Sequence, residues 1–206
     1  MLKLVRRVAY AMIALLLAGV GGVLWWRGEA PSLSDIGVAL PGGVSLGGPF
    51  TLVNTAGETV TEASFRGKWM LVYFGYTFCP DVCPTELQTM SAALDRLGPL
   101  GAGVVPVFIT VDPERDTPAV LAEYTKLFDE RLVGLTGSKE QVAGAAKSYR
   151  VYFARAKAKD NSDYLMDHSS FIYLVGPDGG FRALFRHGMT VPELADAMKA
   201  RLAAGG

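Results

Sequence analysis

The chain is poor in the side chains that do chemistry near neutral pH, since its 206 residues include only two cysteines and two histidines. It also lacks an excess of charge, because 20 basic residues balance 20 acidic ones. Removing Lys3, Arg6 and Arg7, which precede a long apolar run, leaves 17 basic against 20 acidic residues, a net charge near −3. Nucleic-acid-binding domains usually carry a basic surface, so this balance argues against nucleic acid as a partner.

The one long hydrophobic run of the sequence extends from Val8 to Trp26. It is uncharged, is close to the ~20 residues that cross a bilayer, and ends in two tryptophans typical of a membrane interface. The basic residues before it predict a cytoplasmic amino terminus and an exported remainder. A cleaved signal peptide is the alternative, although its apolar core would usually span only ~7–15 residues. We therefore predict a single-pass anchor in a bacterial inner membrane, with the rest of the chain on the periplasmic side.

The rest of the sequence predicts one domain behind a tether. We assign residues 1–27 to the cytoplasmic terminus and anchor, 28–48 to a flexible tether rich in Gly, Pro and Ser, and 49–206 to a globular domain. Apolar runs, capping boxes and turn residues predict the following elements of that domain. They are a hairpin of Phe50–Asn54 and Thr59–Thr61, strands Trp69–Gly75, Val104–Val111 and Leu132–Leu135, a hairpin of Phe171–Val175 and Phe181–Phe185, and helices over Pro84–Leu97 and from Pro118, Ser138 and Thr190.

This order of elements predicts an α/β fold of the thioredoxin-like kind, with a central sheet flanked by helices and an N-terminal hairpin. Two shorter apolar segments, Val151–Phe153 and Tyr164–Met166, flank a polar stretch from Lys157 to Asp163 that we interpret as an exposed loop.

Both cysteines belong to one motif, Cys79-Pro-Asp-Val-Cys83-Pro84, directly after the predicted central strand. A helix begins there, and the partial positive charge of a helix amino terminus lowers thiol pKa values. Each cysteine precedes a proline, which disfavours the helical conformation, so we expect both in a loop. Such a pair can bind a soft metal or cycle between dithiol and disulfide. A purely structural disulfide is the third interpretation, although so small a loop would stabilise the fold little.

His168 precedes the predicted strand from Phe171, in the loop that faces the cysteine motif in a thioredoxin-like layout. Redox members of that fold have a cis-proline there, but this chain lacks proline between Pro118 and Pro177. Two thiolates and an imidazole make a three-coordinate site that suits copper, whereas structural zinc usually takes four protein ligands. Met166 is a conceivable fourth ligand that alternation along a strand instead directs into the core. We expect the second histidine, His187, to be exposed without a role.

Charged residues lie near the predicted site. The loop from Asp112 to Asp116, with Arg115, ends a central strand at the same edge of the sheet as the cysteines, so it either frames the site, contacts a partner or is an ordinary turn. Asp167 is a candidate to orient the imidazole of its neighbour.

The sequence resembles the Sco/SenC family of copper proteins. The resemblance is carried by Tyr73–Pro84, Val111–Pro118, Asp167–Ser169 and Tyr173–Gly179, in that order. It implies a membrane-anchored copper metallochaperone that delivers Cu(I) or Cu(II) to the binuclear copper centre of cytochrome c oxidase subunit II, with Cys79, Cys83 and His168 as the metal ligands. Another periplasmic copper chaperone or a thiol reductase is a further possible partner.

Whether the protein is also an enzyme stays open at this point. The alternative function is a thiol–disulfide oxidoreductase that uses Cys79 and Cys83 to reduce the cysteine pair of a partner protein. A peroxidase of the peroxiredoxin type is a third interpretation, which fits poorly with a histidine opposite the cysteines. Survival of disulfide reduction after His168→Ala would separate the reductase from the metal-binding protein.

Overall fold

A mixed seven-stranded sheet forms the centre of the computed structural model, which describes residues 46–156 and 164–204. The strands are β1 (Thr51–Asn54), β2 (Thr59–Thr61), β3 (Trp69–Gly75), β4 (Val104–Thr110), β5 (Val133–Thr136), β6 (Phe153–Arg155), β7 (Met166–His168), β8 (Ile172–Val175) and β9 (Phe181–Phe185). The helices are a 3-10 turn at Glu62–Phe65, α1 (Val82–Arg96), α2 (Pro99–Ala102), α3 (Pro118–Thr125), α4 (Lys139–Ser148) and α5 (Val191–Ala204).

The strand order in the large sheet is β2-β1-β5-β4-β3-β8-β9. Strands β3, β4 and β5 are parallel, while β1, β8 and β9 pair antiparallel to their neighbours. Helix α1 packs against α5 and contacts β3 and β4, while α3 contacts β5 and α4 contacts β1. This is the α/β fold predicted from the sequence, a central mixed sheet with helices around it, and the N-terminal hairpin is β1–β2.

Strand β3 lies at the centre because its sequence is apolar on both faces. Every residue from Met70 to Gly75 is buried, as are all four residues of β8 beside it. A strand buried on both sides is expected to be continuously apolar rather than alternating. The end of β3 at Gly75 therefore fixes the start of the cysteine motif at one edge of a rigid sheet.

The prediction that both cysteines lie in a loop is wrong for Cys83. Helix α1 begins at Val82, with Asp81 as its N-cap, rather than at Pro84. The prediction relied on the steric effect of Pro84 on the residue before it. Proline is nevertheless tolerated in the first turn of a helix, where backbone N–H groups have no intrahelical partner. Cys83 consequently occupies the first turn of α1, while Cys79 precedes the helix.

The loop predicted around His168 is instead a strand. Strands β6 and β7 form a separate two-stranded sheet in which Phe153 pairs with His168. Beyond the last pair, the Ser169 N–H donates to the carbonyl of Tyr152 at 2.9 Å. These hydrogen bonds hold the backbone of His168 extended, although the sequence there has no long apolar run to reveal it.

Two predicted features lie outside the described residues: the apolar run from Val8 to Trp26 and most of the predicted tether. The polar stretch from Lys157 to Asp163 also lies outside them. Within residues 46–156 and 164–204, none of the helices is long and apolar enough to span a membrane. The domain boundaries proposed above stay predictions.

Candidate metal centre

The two cysteines differ in exposure because they occupy different parts of the β3–α1 connection. Cys79 is half-buried, and its N–H donates to the carbonyl of Tyr76 at 3.3 Å, which closes a turn after β3. Cys83 is 0% exposed. Its backbone N–H donates to the Cys79 sulfur at 3.4 Å, so a helix amino-terminal N–H group points at that thiol. The two cysteines are not joined in a disulfide.

The imidazole of His168 reaches this pair from β7. Its Nε2 lies 3.4 Å from the Cys83 sulfur. Its Nδ1 lies 3.1 Å from the carbonyl of Ser169, an acceptor, so Nδ1 carries the proton and donates to it. That tautomer leaves the Nε2 lone pair free towards the sulfur atoms, as metal ligation requires. The rings of Tyr73 and Tyr76 meet the imidazole edge-on, with centroids 6.2 and 5.8 Å away.

The three side chains therefore form one cluster, in which the ligand atoms of Cys79, Cys83 and His168 all lie within 4.8 Å of one another. Metal–sulfur and metal–nitrogen bonds of roughly 2.0–2.3 Å separate neighbouring ligand atoms by about 3.5–4 Å. The spacing thus needs little adjustment to hold one ion. Among the described residues, this is the one group of three or more His, Cys, Asp or Glu side chains with such spacing.

The two thiols are electrostatically unequal. A hydrogen bond from the Cys83 thiol, more than any other interaction, lowers the pKa of Cys79 to about 3, and backbone N–H groups act in the same direction against burial. The same hydrogen bond and the burial of Cys83 raise the pKa of its thiol. Cys79 is therefore the thiolate near neutral pH and Cys83 the proton donor to it. A metal that takes both sulfurs as thiolates must displace the Cys83 proton.

Asp116 supports the segment that leads to Cys79. Its carboxylate is 0% exposed and accepts hydrogen bonds from the Thr77 N–H at 3.0 Å and from the hydroxyls of Thr77 and Thr110, each at 2.6 Å. Burial raises the pKa of Asp116, which the hydrogen bonds partly oppose. This aspartate ties the end of β4 to the residue two positions before Cys79, and it is not exposed for contact with a partner.

Asp112 and Arg115 form a second connection. Asp112 is buried and accepts hydrogen bonds from Arg115 Nε at 2.5 Å and from the Tyr164 hydroxyl at 2.8 Å. Asp167, by contrast, is exposed on β7 between buried Met166 and half-buried His168. Neighbours on a strand point to opposite sides, so Asp167 faces away from the cluster and the Ser169 carbonyl contacts Nδ1. The side chain of Met166 packs in the core.

A buried carboxylate close to the site is not among the residues predicted from the sequence. Glu86 is 2% exposed on α1, and its Oε1 accepts from His187 Nδ1 at 2.6 Å and from the Gly188 N–H at 3.0 Å. His187 is half-exposed, as expected, but it has this structural partner. Helical spacing from Cys83 would have predicted that Glu86 is buried, because Glu86 falls on the same buried face of α1 as Leu87 and Met90.

Comparisons with known proteins identify relatives of this chain. A family model described as SCO1/SenC matches residues 39–203. The protein SCO1 homolog 1, mitochondrial, of Arabidopsis thaliana is 46% identical over 158 residues, which cover 76% of this chain and 47% of that protein. The human SCO1 homolog, mitochondrial, is 43% identical over 152 residues, which cover 73% of this chain and 50% of the human protein. The chain thus spans about half the length of these curated relatives.

Solved structures resemble the chain over most of its length. Copper-bound ScoI of Arabidopsis thaliana superposes with a TM-score of 0.74 at 44% identity, covering 78% of this chain and 99% of that one. Copper-bound ScoI of Bradyrhizobium japonicum gives 0.69 at 44% identity, covering 76% and 99%. BsSco, described as having a disulfide switch and as a member of the Sco family of cytochrome c oxidase assembly proteins, gives 0.60 at 27% identity, covering 77% and 95%.

Proposed function

The chain belongs to the SCO1/SenC family, and we propose that it binds copper through Cys79, Cys83 and His168 and delivers it during assembly of cytochrome c oxidase. The observation that carries the proposal is the convergence of two sulfurs and one imidazole nitrogen within 4.8 Å. Thiolate and imidazole ligands suit copper, and thiolates favour Cu(I) in particular. The copper in the structures of two relatives at 44% identity supports the same ion here.

The recipient that we propose is the binuclear copper centre of cytochrome c oxidase subunit II. Delivery requires that a partner's ligands reach the ion while the chain still holds it. Cys79 and His168 are half-buried whereas Cys83 is fully buried, so an incoming ligand meets the first two before the third. Copper would then move by stepwise ligand exchange, with Cys83 as the last ligand to release it. The description of BsSco as an assembly protein supports this role.

We propose that the segment from Val8 to Trp26 anchors the protein in a bacterial inner membrane, with residues 28–48 as a tether and the domain from residue 49 outside the cytoplasm. The Arabidopsis thaliana and human SCO1 homologs described above are both named mitochondrial. Fractionation of cells that express the full chain, followed by protease treatment of spheroplasts, tests the topology, and a domain that resists protease only in intact cells would support it.

The test of copper binding uses the full chain, reduced and loaded with copper, together with two matched histidine variants. His168→Ala removes a proposed ligand, whereas His187→Gln changes the other histidine and keeps a donor for Glu86. We expect one copper per chain and a Cu(II)–thiolate absorption band in the wild type and in His187→Gln. His168→Ala should lose most of its Cu(II) affinity and the band. Equal binding by all three proteins would contradict the three-ligand site.

A second candidate function is reduction of a partner's disulfide, and the lowered pKa of half-exposed Cys79 favours it. The Cys79 thiolate would attack one sulfur of the partner disulfide, forming a mixed disulfide and releasing a partner thiolate. Cys83 would then attack Cys79 as a thiolate, which leaves the second partner thiol and a Cys79–Cys83 disulfide. Two electrons pass from this chain to the partner in that sequence. Turnover of a disulfide substrate that His168→Ala leaves unchanged would favour the reductase.

A further inference from the structure

The metal cluster draws its members from two sheets that share no strand pairing. Cys79 and Cys83 follow β3 of the seven-stranded sheet, whereas His168 ends β7 of the two-stranded sheet. The distances between the three ligands of such a site depend on the contacts that hold the two sheets together. The loop between β4 and α3, which contains Asp112 and Arg115, supplies such contacts.

Arg115 joins both sides of the cluster with one side chain. Its Nε donates to Asp112, at the end of β4, and its Nη1 donates to the carbonyl of Tyr164 at 2.9 Å, two residues before β7. Its guanidinium carbon also lies 3.8 Å from the ring centroid of Tyr164. On the cysteine side the same carbon lies 4.7 Å from the ring of Phe78 and 5.9 Å from that of Tyr76. Phe78 directly precedes Cys79.

We propose that Arg115 is a positioning residue for the metal cluster, holding the strand of His168 at a fixed distance from the loop of Cys79. The proposal rests on the proposed copper site and adds to it a residue that does not touch the ion. Arg115 is 23% exposed, so its contacts are largely shielded from water. Removing them leaves each sheet intact and the Tyr164 hydroxyl still bonded to Asp112, but it loosens the strand of His168 relative to the loop of Cys79, which changes ligand spacing rather than ligand identity.

The contacts require arginine rather than any cation. The planar guanidinium donates in two directions while it stacks on aromatic faces, which a lysine ammonium cannot do. Arg115 Nη2 is buried without a hydrogen-bond partner among the described residues. Three aromatic rings lie around the guanidinium, and their faces attract its charge. A lysine would retain the charge near Asp112 but lose the simultaneous reach to Tyr164 and Phe78.

The test uses the full chain with Arg115→Lys and a matched control, Arg131→Lys. Arg131 also pairs with carboxylates, Asp95 and Asp129, but lies outside the contacts described for the cluster. We expect Arg115→Lys to bind Cu(II) about 10–100-fold more weakly, the usual effect of losing a residue that orients metal ligands, and to shift the thiolate absorption band. Arg131→Lys should match the wild type in affinity and band.

A second readout needs no copper. The chain has only two histidines, so the ring proton signals of His168 and His187 can be assigned, and those of His168 lie beside the rings of Tyr73 and Tyr76. In the metal-free protein, Arg115→Lys should move the His168 signals and leave those of His187 in place. Should the wild type bind no copper, the proposed function fails, while this spectrum still tests the positioning role.

Unmoved His168 signals, or wild-type copper affinity in Arg115→Lys, would overturn the proposal. If Arg115→Lys does not fold, Tyr164→Leu compared with Tyr164→Phe decides the matter, because both variants lose the hydroxyl that donates to Asp112 and only the leucine variant loses the ring stacked on the guanidinium. The same displacement of the His168 signals with weaker copper binding would then support the proposal, and unchanged signals would reject it.

Discussion

Substituting Gly75 by alanine should disturb the metal cluster without replacing any of its ligands. Gly75 ends β3, and a Cβ built there would lie 2.8 Å from the Cys83 sulfur, 2.9 Å from Cε2 of Phe108 and 3.1 Å from Cε1 of Tyr73. All three neighbours are fully buried in a close-packed core and have little room to move. Inserting a methyl group into such a core typically costs about 1–3 kcal/mol. We expect a loss of free energy of unfolding within that range.

The magnitude is measured by urea unfolding of the reduced, metal-free chain, and copper affinity is measured in parallel. Cys83 can relieve the contact only by moving, and its sulfur lies 3.4 Å from His168 Nε2, so copper binding should weaken as well. Gly144→Ala is the control, because Gly144 lies within α4 with nothing within 4 Å of an added Cβ. Alanine there should stabilise the fold by about 0.5–1 kcal/mol. If Gly75→Ala unfolds at the wild-type urea concentration and binds copper normally, the argument from close packing is refuted.

Three further outcomes follow from the contacts around the cluster. His187→Ala should lower the free energy of unfolding by about 1–3 kcal/mol, because it removes a hydrogen bond from the buried carboxylate of Glu86, and an unchanged urea midpoint would contradict that role. Asp116→Ala should cost about 3 kcal/mol in the same assay, since it leaves three hydrogen-bond donors without their acceptor, whereas Asp116→Asn should cost less. Iodoacetamide should modify Cys79 at a nearly constant rate from pH 5 to pH 8, because the lowered pKa of Cys79, about 3, keeps this residue a thiolate throughout. The reagent should spare Cys83, which is buried. A rate that rises about tenfold per pH unit would instead indicate that Cys79 is an ordinary thiol.

The sequence predicted the sheet well because its central strands are continuous apolar runs. Trp69–Gly75 was predicted to its exact limits, and the hairpin of β8 and β9 follows from the turn that separates two apolar segments. The helix starts at Val82 rather than at the predicted Pro84. Proline disfavours a helical conformation in the residue before it, but proline itself is tolerated in the first turn of a helix, and here the second effect prevails. Strand β7 was missed because its partner β6 is short and its pairing depends on residues more than ten positions away.

The sequence predicts the three members of the candidate site, and a framing role for the loop from Asp112 to Asp116 as one alternative, but not the individual contacts that this loop makes. The convergence of Cys79, Cys83 and His168 follows from where the fold positions the ends of its strands, together with the resemblance to a copper-binding family. The contacts of Arg115 with Tyr164 and Phe78 join segments far apart in sequence. No local pattern specifies such contacts, because an arginine in a charged loop more often faces solvent. Glu86 differs, because helical spacing alone places it on the buried face of α1 with Leu87 and Met90.

Both candidate functions begin at the same atom, and the structure explains why. Cys83 is fixed beneath Gly75, and His168 is fixed by the Ser169 carbonyl and by two tyrosine rings. The Cys79 sulfur is half-exposed and its pKa is lowered, so a partner's ligand or a partner's disulfide reaches it before Cys83. What separates the two functions is the imidazole, because copper binding uses its Nε2 lone pair and disulfide exchange needs only the sulfurs. The response of each activity to His168→Ala therefore decides between them, whichever partner is used in the assay.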